Sequence, residues 1–247
     1  MAIDRDDRPI GRVLRRREVL ALLGGSALLG ACAPGTAGAS ASAPSTVLPS
    51  CVVRPALTEG PYFVDEKLQR SDIRSEPSTN AAKPGVPLAL TFAVSKLSGN
   101  ACGALANATV DVWHCDALGV YSDAQDLSFN TKGLKFLRGY QATDASGIAK
   151  FTTIWPGWYQ GRAVHIHFKI RTAAANGRTA DFTSQLFFPD AMNDAVFAVT
   201  PYSQKGIAGM LRNDGDDIFR QSGGKLTISP AKTADGYAAT FDIGLTV

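Results

Sequence analysis

The chain has 247 residues, of which 45% are hydrophobic and 19% charged, and its formal net charge at pH 7 is +3. That is the composition of a folded globular protein with one substantial core, and it excludes a disordered or low-complexity chain. Removal of residues 1–31 takes away six arginines and four acidic residues and leaves +1, a charge with no nucleic-acid footprint.

Arginines at 5, 8, 12, 15, 16 and 17 precede the apolar stretch Val19–Ala31. The stretch is too short to span a bilayer as a helix, and a basic flank before a short apolar core is the pattern of a signal peptide. Arg16-Arg17-Glu18-Val19-Leu20 resembles a twin-arginine export signal, and Leu29-Gly30-Ala31-Cys32 resembles a lipoprotein processing site at which Cys32 becomes the lipidated first residue. The small-residue run from Ala37 to Ala43 offers an ordinary signal peptidase a second place to cut. The chain therefore divides into a signal peptide over 1–31, a flexible Ala/Gly/Ser/Pro tether over 32–49 and one folded domain over 50–247. The location that follows is the periplasm or the extracytoplasmic membrane surface, with attachment through lipidated Cys32.

The domain reads as all-β, an antiparallel β-sandwich with short helices and long loops. Strands are predicted over Val86–Val94, Ala108–His114, Ile148–Ile154, Val164–Arg171, Thr183–Phe188 and Tyr237–Gly244, each β-branched or aromatic and bounded by Gly, Pro, Asn or Asp. Sheets packed face to face bury such strands economically. One or two short helices are predicted within Gln204–Ser222, where Ile207, Met210, Leu211, Ile218 and Phe219 recur at near-helical spacing and Gly215 interrupts. With Cys32 lipidated, Cys51, Cys102 and Cys115 remain. Cys51 and Cys102 sit in loop-like sequence and are the better disulfide pair, although sequence alone leaves the connectivity open. The chain contains no C-x-x-C pair, which argues against a zinc site.

Chemistry-bearing residues concentrate in two places. Val110-Asp111-Val112-Trp113-His114-Cys115 reads as a strand, followed by a turn at Asp116–Gly119 and then Tyr121. Trp155-Pro156-Gly157-Trp158-Tyr159-Gln160-Gly161-Arg162 reads as a loop that delivers a tyrosine and an arginine beside the strand His165-Ile166-His167-Phe168. Two of the chain's three histidines thus stand at i, i+2, and in a strand they face the same way. Two imidazoles converging from a stiff strand is a metal-site geometry, while two hydrogen-bonded structural histidines is the plain alternative.

The order Tyr121, Tyr159, Arg162, His165, His167, with the phrases Thr58-Glu59-Gly60-Pro61-Tyr62, Asp111-Val112-Trp113-His114 and Pro156-Gly157-Trp158-Tyr159, resembles the intradiol ring-cleavage dioxygenases. The resemblance implies that Tyr121, Tyr159, His165 and His167 are metal ligands of an Fe(3+) ion. It also implies that Tyr159 is the mobile ligand that takes up a substrate proton and that Arg162 stabilises negative charge on the ring. Gln185 matches a supporting glutamine, and an inward-facing strand amide serves equally to satisfy backbone groups. The implied reaction joins a catechol-like substrate and O2 to give a muconate-type dicarboxylate. A phenolate is a hard oxygen donor that ionises at neutral pH only beside a strong positive charge, which ferric iron supplies.

Several readings stay open beside this one. His114 is the third histidine and reads as a hydrogen-bonded structural residue. Trp113, Trp155 and Trp158 read as core or pocket wall. Tyr62 either lines the substrate mouth or packs in an amino-terminal arm. Only Gln160 and Gly161 separate Tyr159 from Arg162, a shorter connection than in the well-studied members, which suggests a more open site; the match is nearer the protocatechuate branch and the exported members. The sequence leaves monomer and oligomer both open. Two functional alternatives are an exported β-sandwich module that binds catecholate or carbohydrate ligands without turnover, and a copper oxidase using the same donors, against which the two tyrosines argue.

Overall fold

The structure is a computed structural model that describes residues 51–99, 101–173 and 179–246. The signal segment, Cys32 and the tether lie outside the described residues. Among these residues the strands are β1 (Pro87–Ser98), β2 (Ala101–Ala104), β3 (Thr109–Trp113), β4 (Arg138–Ala142), β5 (Ile148–Ile154), β6 (His165–Ala173), β7 (Thr179–Phe187), β8 (Ala231–Lys232) and β9 (Tyr237–Thr246). Two short helices, α1 (Asp190–Phe197) and α2 (Asp217–Ser222), lie between β7 and β8.

The strands form two sheets, one of five strands around β1 and one of four in the order β4-β3-β6-β7. In β1 the alternation of Leu88, Leu90, Phe92 and Val94 turns one face inward, as a half-buried strand requires. β9 pairs with β1 over Leu88–Leu97, so β5 and β2 must share the opposite edge of β1. The four-stranded sheet is antiparallel throughout. The sheets meet where Phe92 of β1 and Phe241 of β9 pack against Phe168 of β6, with ring centroids 5.2 and 5.4 Å from Phe168.

The all-β sandwich is as the strand pattern predicts, with one addition: β9 runs parallel to β1. Among the described residues β1 and β9 are separated by seven other strands, so the chain has ample length to return in the parallel direction. Four elements go unpredicted, among them β4, whose Arg138-Gly139-Tyr140-Gln141-Ala142 sequence has no β-branched residue. β2 and β8 are short and lack β-branched runs, and α1 has only three buried residues, Asn193, Val196 and Phe197, to mark its inner side. The predicted helical stretch resolves into two 3-10 turns, Tyr202–Gln204 and Asn213–Gly215, followed by α2.

Before β1 the chain runs as an extended arm along the sandwich. Cys51 is bonded to Cys102 in β2, as expected, and Leu57 N donates to Thr183 O of β7 at 3.0 Å. The disulfide fixes the start of the arm at β2; further along, the arm crosses β6 at Gly60–Asp65 before reaching β4 at Gln69 and β5 at Asp72.

The bridge closes a sequence separation of 51 residues, so its removal in Cys51→Ser/Cys102→Ser costs about 4 kcal/mol by loop entropy. Urea unfolding at pH 7 measures this. An unchanged midpoint would mean that the backbone bonds of the arm hold it unaided.

Candidate functional site

β6 divides its side chains by parity. Ile166, Phe168 and Ile170 enter the sandwich core, and His165, His167, Lys169 and Arg171 stand on the outer face of the four-stranded sheet. The amino-terminal arm covers that outer face. Gly60 lies on the His167 ring, where a Cβ would come within 3.1 Å of Cε1, and its φ of +73° is in the left-handed region that favours glycine. Lys169 pairs with Glu59 and lies 3.9 Å from the centroid of Phe63. Arg171 reaches Asp65 at 3.2 Å and Asp111 of β3 at 2.8 Å. Residues i, i+2 and i+4 of one strand face thus fasten the arm, and the site lies beneath it, outside the main core.

Register across the sheet completes the floor. Trp113 of β3 and Gln185 of β7 are the direct cross-strand partners of His167. The indole of Trp113 stacks on the His167 ring at 5.1 Å and 11°. Trp113, Cys115, Tyr121 and Ala124 form a small apolar cluster of their own, with Tyr62, Phe63, Phe129 and Tyr159 against it. Asp116 shapes the turn before Tyr121 by accepting from Leu118 N and Val120 N at 3.0 Å each.

Three of the four predicted donor atoms converge: Tyr159 Oη is 3.1 Å from His165 Nε2, which is 3.0 Å from His167 Nε2. The His165 Nδ1 to Ala163 O contact of 2.6 Å places the proton on Nδ1 and leaves Nε2 a lone pair aimed at the cluster. Tyr121 approaches from the side, its ring 5.7 Å from that of Tyr159 and 6.2 Å from His167. The buried Tyr121 Oη and His167 Nδ1 make no hydrogen bond of acceptable geometry among the described residues. Such an orphaned buried hydroxyl costs about 1–3 kcal/mol unless something else satisfies it. Among the described residues no three His, Cys, Asp or Glu side chains form a metal-binding group. The residues able to hold a metal are therefore two imidazoles with two phenols, a donor set that suits a hard cation able to ionise phenols.

The protonation states fit the same reading. Burial, reinforced by Arg162, drives the pKa of His165 well down, and burial with His165 and Arg162 does the same for His167, so both imidazoles are neutral. Burial pushes both Tyr121 and Tyr159 up, so each is a phenol until a cation is present.

Arg162 lies behind the histidines in a fixed frame. Its Nε donates to Asp216 Oδ2 at 2.9 Å and its Nη2 to Gln185 Oε1 at 2.6 Å, and Gln185 Nε2 donates to Thr58 O at 3.0 Å. Gln185 thereby joins Arg162 to the arm and satisfies a backbone carbonyl. Asp216 was not legible in the sequence as a site residue. It is 1% exposed, accepts from Ala163 N at 2.8 Å, and caps α2 through Ile218 N and Phe219 N. The signal available was Asp216-Asp217-Ile218-Phe219, a helix-start pattern with no sign of its partner 54 residues away.

His114 lies outside the donor cluster: Nδ1 meets Cys115 O at 2.8 Å and Nε2 meets Thr153 Oγ1 at 2.6 Å. Burial raises the nearby Cys115 thiol to about 12 and keeps it protonated. Tyr62 turns out to be both arm and wall. Its ring stacks on Tyr121 at 4.4 Å and meets Tyr159 edge-on at 6.4 Å, and its hydroxyl donates to Asp126 Oδ2 at 2.8 Å.

Comparison with known proteins gives a consistent set of matches. The family model described as Dioxygenase matches residues 58–245. The structure of an intradiol ring-cleavage dioxygenase from Tetranychus urticae is 30% identical, covering 79% of this chain and 94% of that one, with a TM-score of 0.66. The dioxygenase domain of a dioxygenase carbohydrate-binding protein fusion from Streptomyces sp. SirexAA-E is 29% identical over 79% of this chain and 99% of that one, with a TM-score of 0.56. Hydroxyquinol 1,2-dioxygenase from Pseudomonas putida DLL-E4 shares the fold at 18% identity, 80% and 68% coverage and a TM-score of 0.55. A search of curated proteins gave no match.

Two outcomes follow from this geometry. Burial lowers His114 from 6.5 to about 4, so the unfolded chain takes up a proton that the folded one refuses. The His114 contribution is intact above pH 6.5 and is lost as the pH falls towards 4, about 3 kcal/mol in all. His165 and His167 act in the same direction, so comparing wild type with His114→Asn in urea titrations between pH 7 and 4.5 isolates this share; equal acid sensitivity in the two proteins would contradict it. Asp216→Ala strands the Arg162 guanidinium and uncaps α2, costing about 3–5 kcal/mol in the same assay.

Proposed function

From the premise that the chain belongs to the intradiol ring-cleavage dioxygenase family, we propose that it is a non-haem Fe(III) enzyme that cleaves catechol-type rings with O2 to muconate-type dicarboxylates. The observation that carries this reading is the convergence of Tyr159 Oη, His165 Nε2 and His167 Nε2 beside the partnerless hydroxyl of Tyr121, with the Arg162 guanidinium fixed behind them. Tyr121, Tyr159, His165 and His167 are the ligands in this reading.

A ferric ion held by these four residues would supply the Lewis acidity that binds a catechol as an oxyanion and opens its ring to dioxygen. The rest is the work of the chain. Tyr159 receives a catechol proton at Oη as it gives way to substrate, because burial makes the protonated phenol its stable form away from a cation. Exchanging an internal phenolate for a catecholate keeps the buried charge nearly constant. The Arg162 guanidinium offers a positive charge to the ring oxygens, and Asp216 with Gln185 keeps that charge aimed. Tyr62, Phe129 and Trp113 provide the apolar wall that keeps bulk water from the reacting ring.

The same reading takes the protein out of the cytoplasm as the mature form of an exported chain, tethered through lipidated Cys32. The Cys51–Cys102 disulfide supports this, since such bonds persist in oxidising compartments. An enzyme in that place meets aromatic compounds before uptake.

The test is dioxygen uptake by the iron-loaded protein with catechol, together with the product mass. The expected result is one dioxygen consumed per catechol, with both oxygen atoms in the product. Arg162→Gln lowers turnover about 10²–10³-fold with iron retained, and Gln185→Leu about 10–100-fold. Tight catechol binding with no oxygen consumption would favour the binding-module alternative instead.

A further inference from the structure

Arg138, the first residue of β4, is only 2% exposed, yet no carboxylate lies within ion-pair reach of it among the described residues. The better-placed comparison is with Arg162 and Arg171, which pair with Asp216 and Asp111. A buried guanidinium without a counter-charge is expensive unless hydrogen bonds satisfy its donors. Here each of its three nitrogens makes one, and the three go to two places. Nε donates to Ser122 Oγ at 2.8 Å, Nη2 donates to Ser122 O, and Nη1 donates to Tyr62 O at 2.6 Å.

Ser122 is the residue after Tyr121, and Tyr62 is the ring stacked on Tyr121. The anchor itself is held from behind. Ser122 Oγ donates to Phe136 O at 2.6 Å, and the Arg138 carbonyl accepts from Arg70 Nε at 2.8 Å. Arg70 also donates to Ser75 O at 2.7 Å, which ties the continuation of the arm to the same strand. The other tether of Tyr62 is its hydroxyl bond to Asp126, on an exposed loop where polar contacts contribute little. Gly60, two residues earlier, has a φ of +73°, which glycine adopts readily.

We propose that Arg138 is a positioning residue of the site: it locks the end of the arm to the Tyr121 turn, so that the Tyr62 wall and the Tyr121 ring move as one piece. The inference rests on the reading of Tyr121 as a ligand. Without the clamp the Tyr62 wall shifts and the substrate loses its lateral boundary, while the sheets stay intact. The chain thus spends a buried cation on holding two backbone segments in one register.

Hydrogen exchange of the metal-free full chain, resolved by segment, tests this in wild type, Arg138→Met, Arg138→Lys and Ser122→Ala. In Arg138→Met the amides of 62–64 and 122–124 exchange about tenfold faster or more, together, while those of β1 and β9 keep wild-type rates. Arg138→Lys, which retains a charged donor, recovers part of the protection in both segments. In the iron-loaded proteins Arg138→Met raises the catechol KM about tenfold with a smaller change in kcat. Should Arg138→Met not fold, Ser122→Ala removes a single bridge and shows the paired loosening in weaker form. Wild-type exchange in both segments, loosening of one without the other, or acceleration spread equally over β1 and β9 would overturn the clamp. If iron-loaded wild type consumes no dioxygen, the functional reading fails, and the exchange data still decide whether Arg138 couples the two segments.

Discussion

The strict alternation of β6 is the constraint on which the rest of the molecule depends. Phe168 must face Phe92 and Phe241 to close the sandwich, and that choice turns His165 and His167 to the opposite face. A slip of one residue would bring the imidazoles into the apolar core and expose Phe168, so the hydrophobic core enforces the position of the site. The same alternation places Lys169 and Arg171 where they fasten the arm over the histidines. Pairing with β3 and β7 then sets Trp113, His167 and Gln185 in one row. Core packing, arm docking and donor placement are one arrangement seen from three sides.

Charge management follows from putting this site under cover. Tyr121, His165 and His167 are buried and Tyr159 and Arg162 half-buried, so each is held in its neutral form or matched by an opposite charge. The histidines are neutral and lend lone pairs, the tyrosines are neutral and hold protons they would yield to a cation, and Arg162 is matched by Asp216. Asp216 gathers four donors, one from the Arg162 side chain and three from the backbone at Ala163 and the start of α2. The helix α2 is therefore coupled to the site by a single carboxylate. Arg138 follows a different rule, a cation whose partners are a serine hydroxyl and two backbone oxygens with no carboxylate, and its place between the arm and the Tyr121 turn gives that exception a purpose.

Much of this was legible in the sequence, and the parts that were not share a cause. The alternating runs of β1, β5 and β6 carry their own periodicity, and His165-Ile166-His167 states its geometry in three letters. Tyr121, Tyr159 and Arg162 were legible because a turn or a short loop places each of them close to a recognisable strand. Asp216 was hidden because its partner is far along the chain and its local signal is that of a helix cap. Arg138 was hidden for a related reason: it acts through two backbone carbonyls and a serine hydroxyl, which no charge pattern reveals. The double role of Tyr62 depends on the path of the arm, which is fixed at one end by the Cys51–Cys102 bridge and at the other by β6.

The central claim is that two buried phenols and two buried imidazoles form a ferric site that a catechol can enter. The visible absorption spectrum of the iron-loaded protein, recorded without oxygen before and after adding catechol, tests it most directly. The account predicts a broad phenolate-to-Fe(III) charge-transfer band that moves to longer wavelength when catechol binds, and that is absent when Tyr121 and Tyr159 are both replaced by phenylalanine. A colourless protein, or a band that ignores catechol, would contradict it.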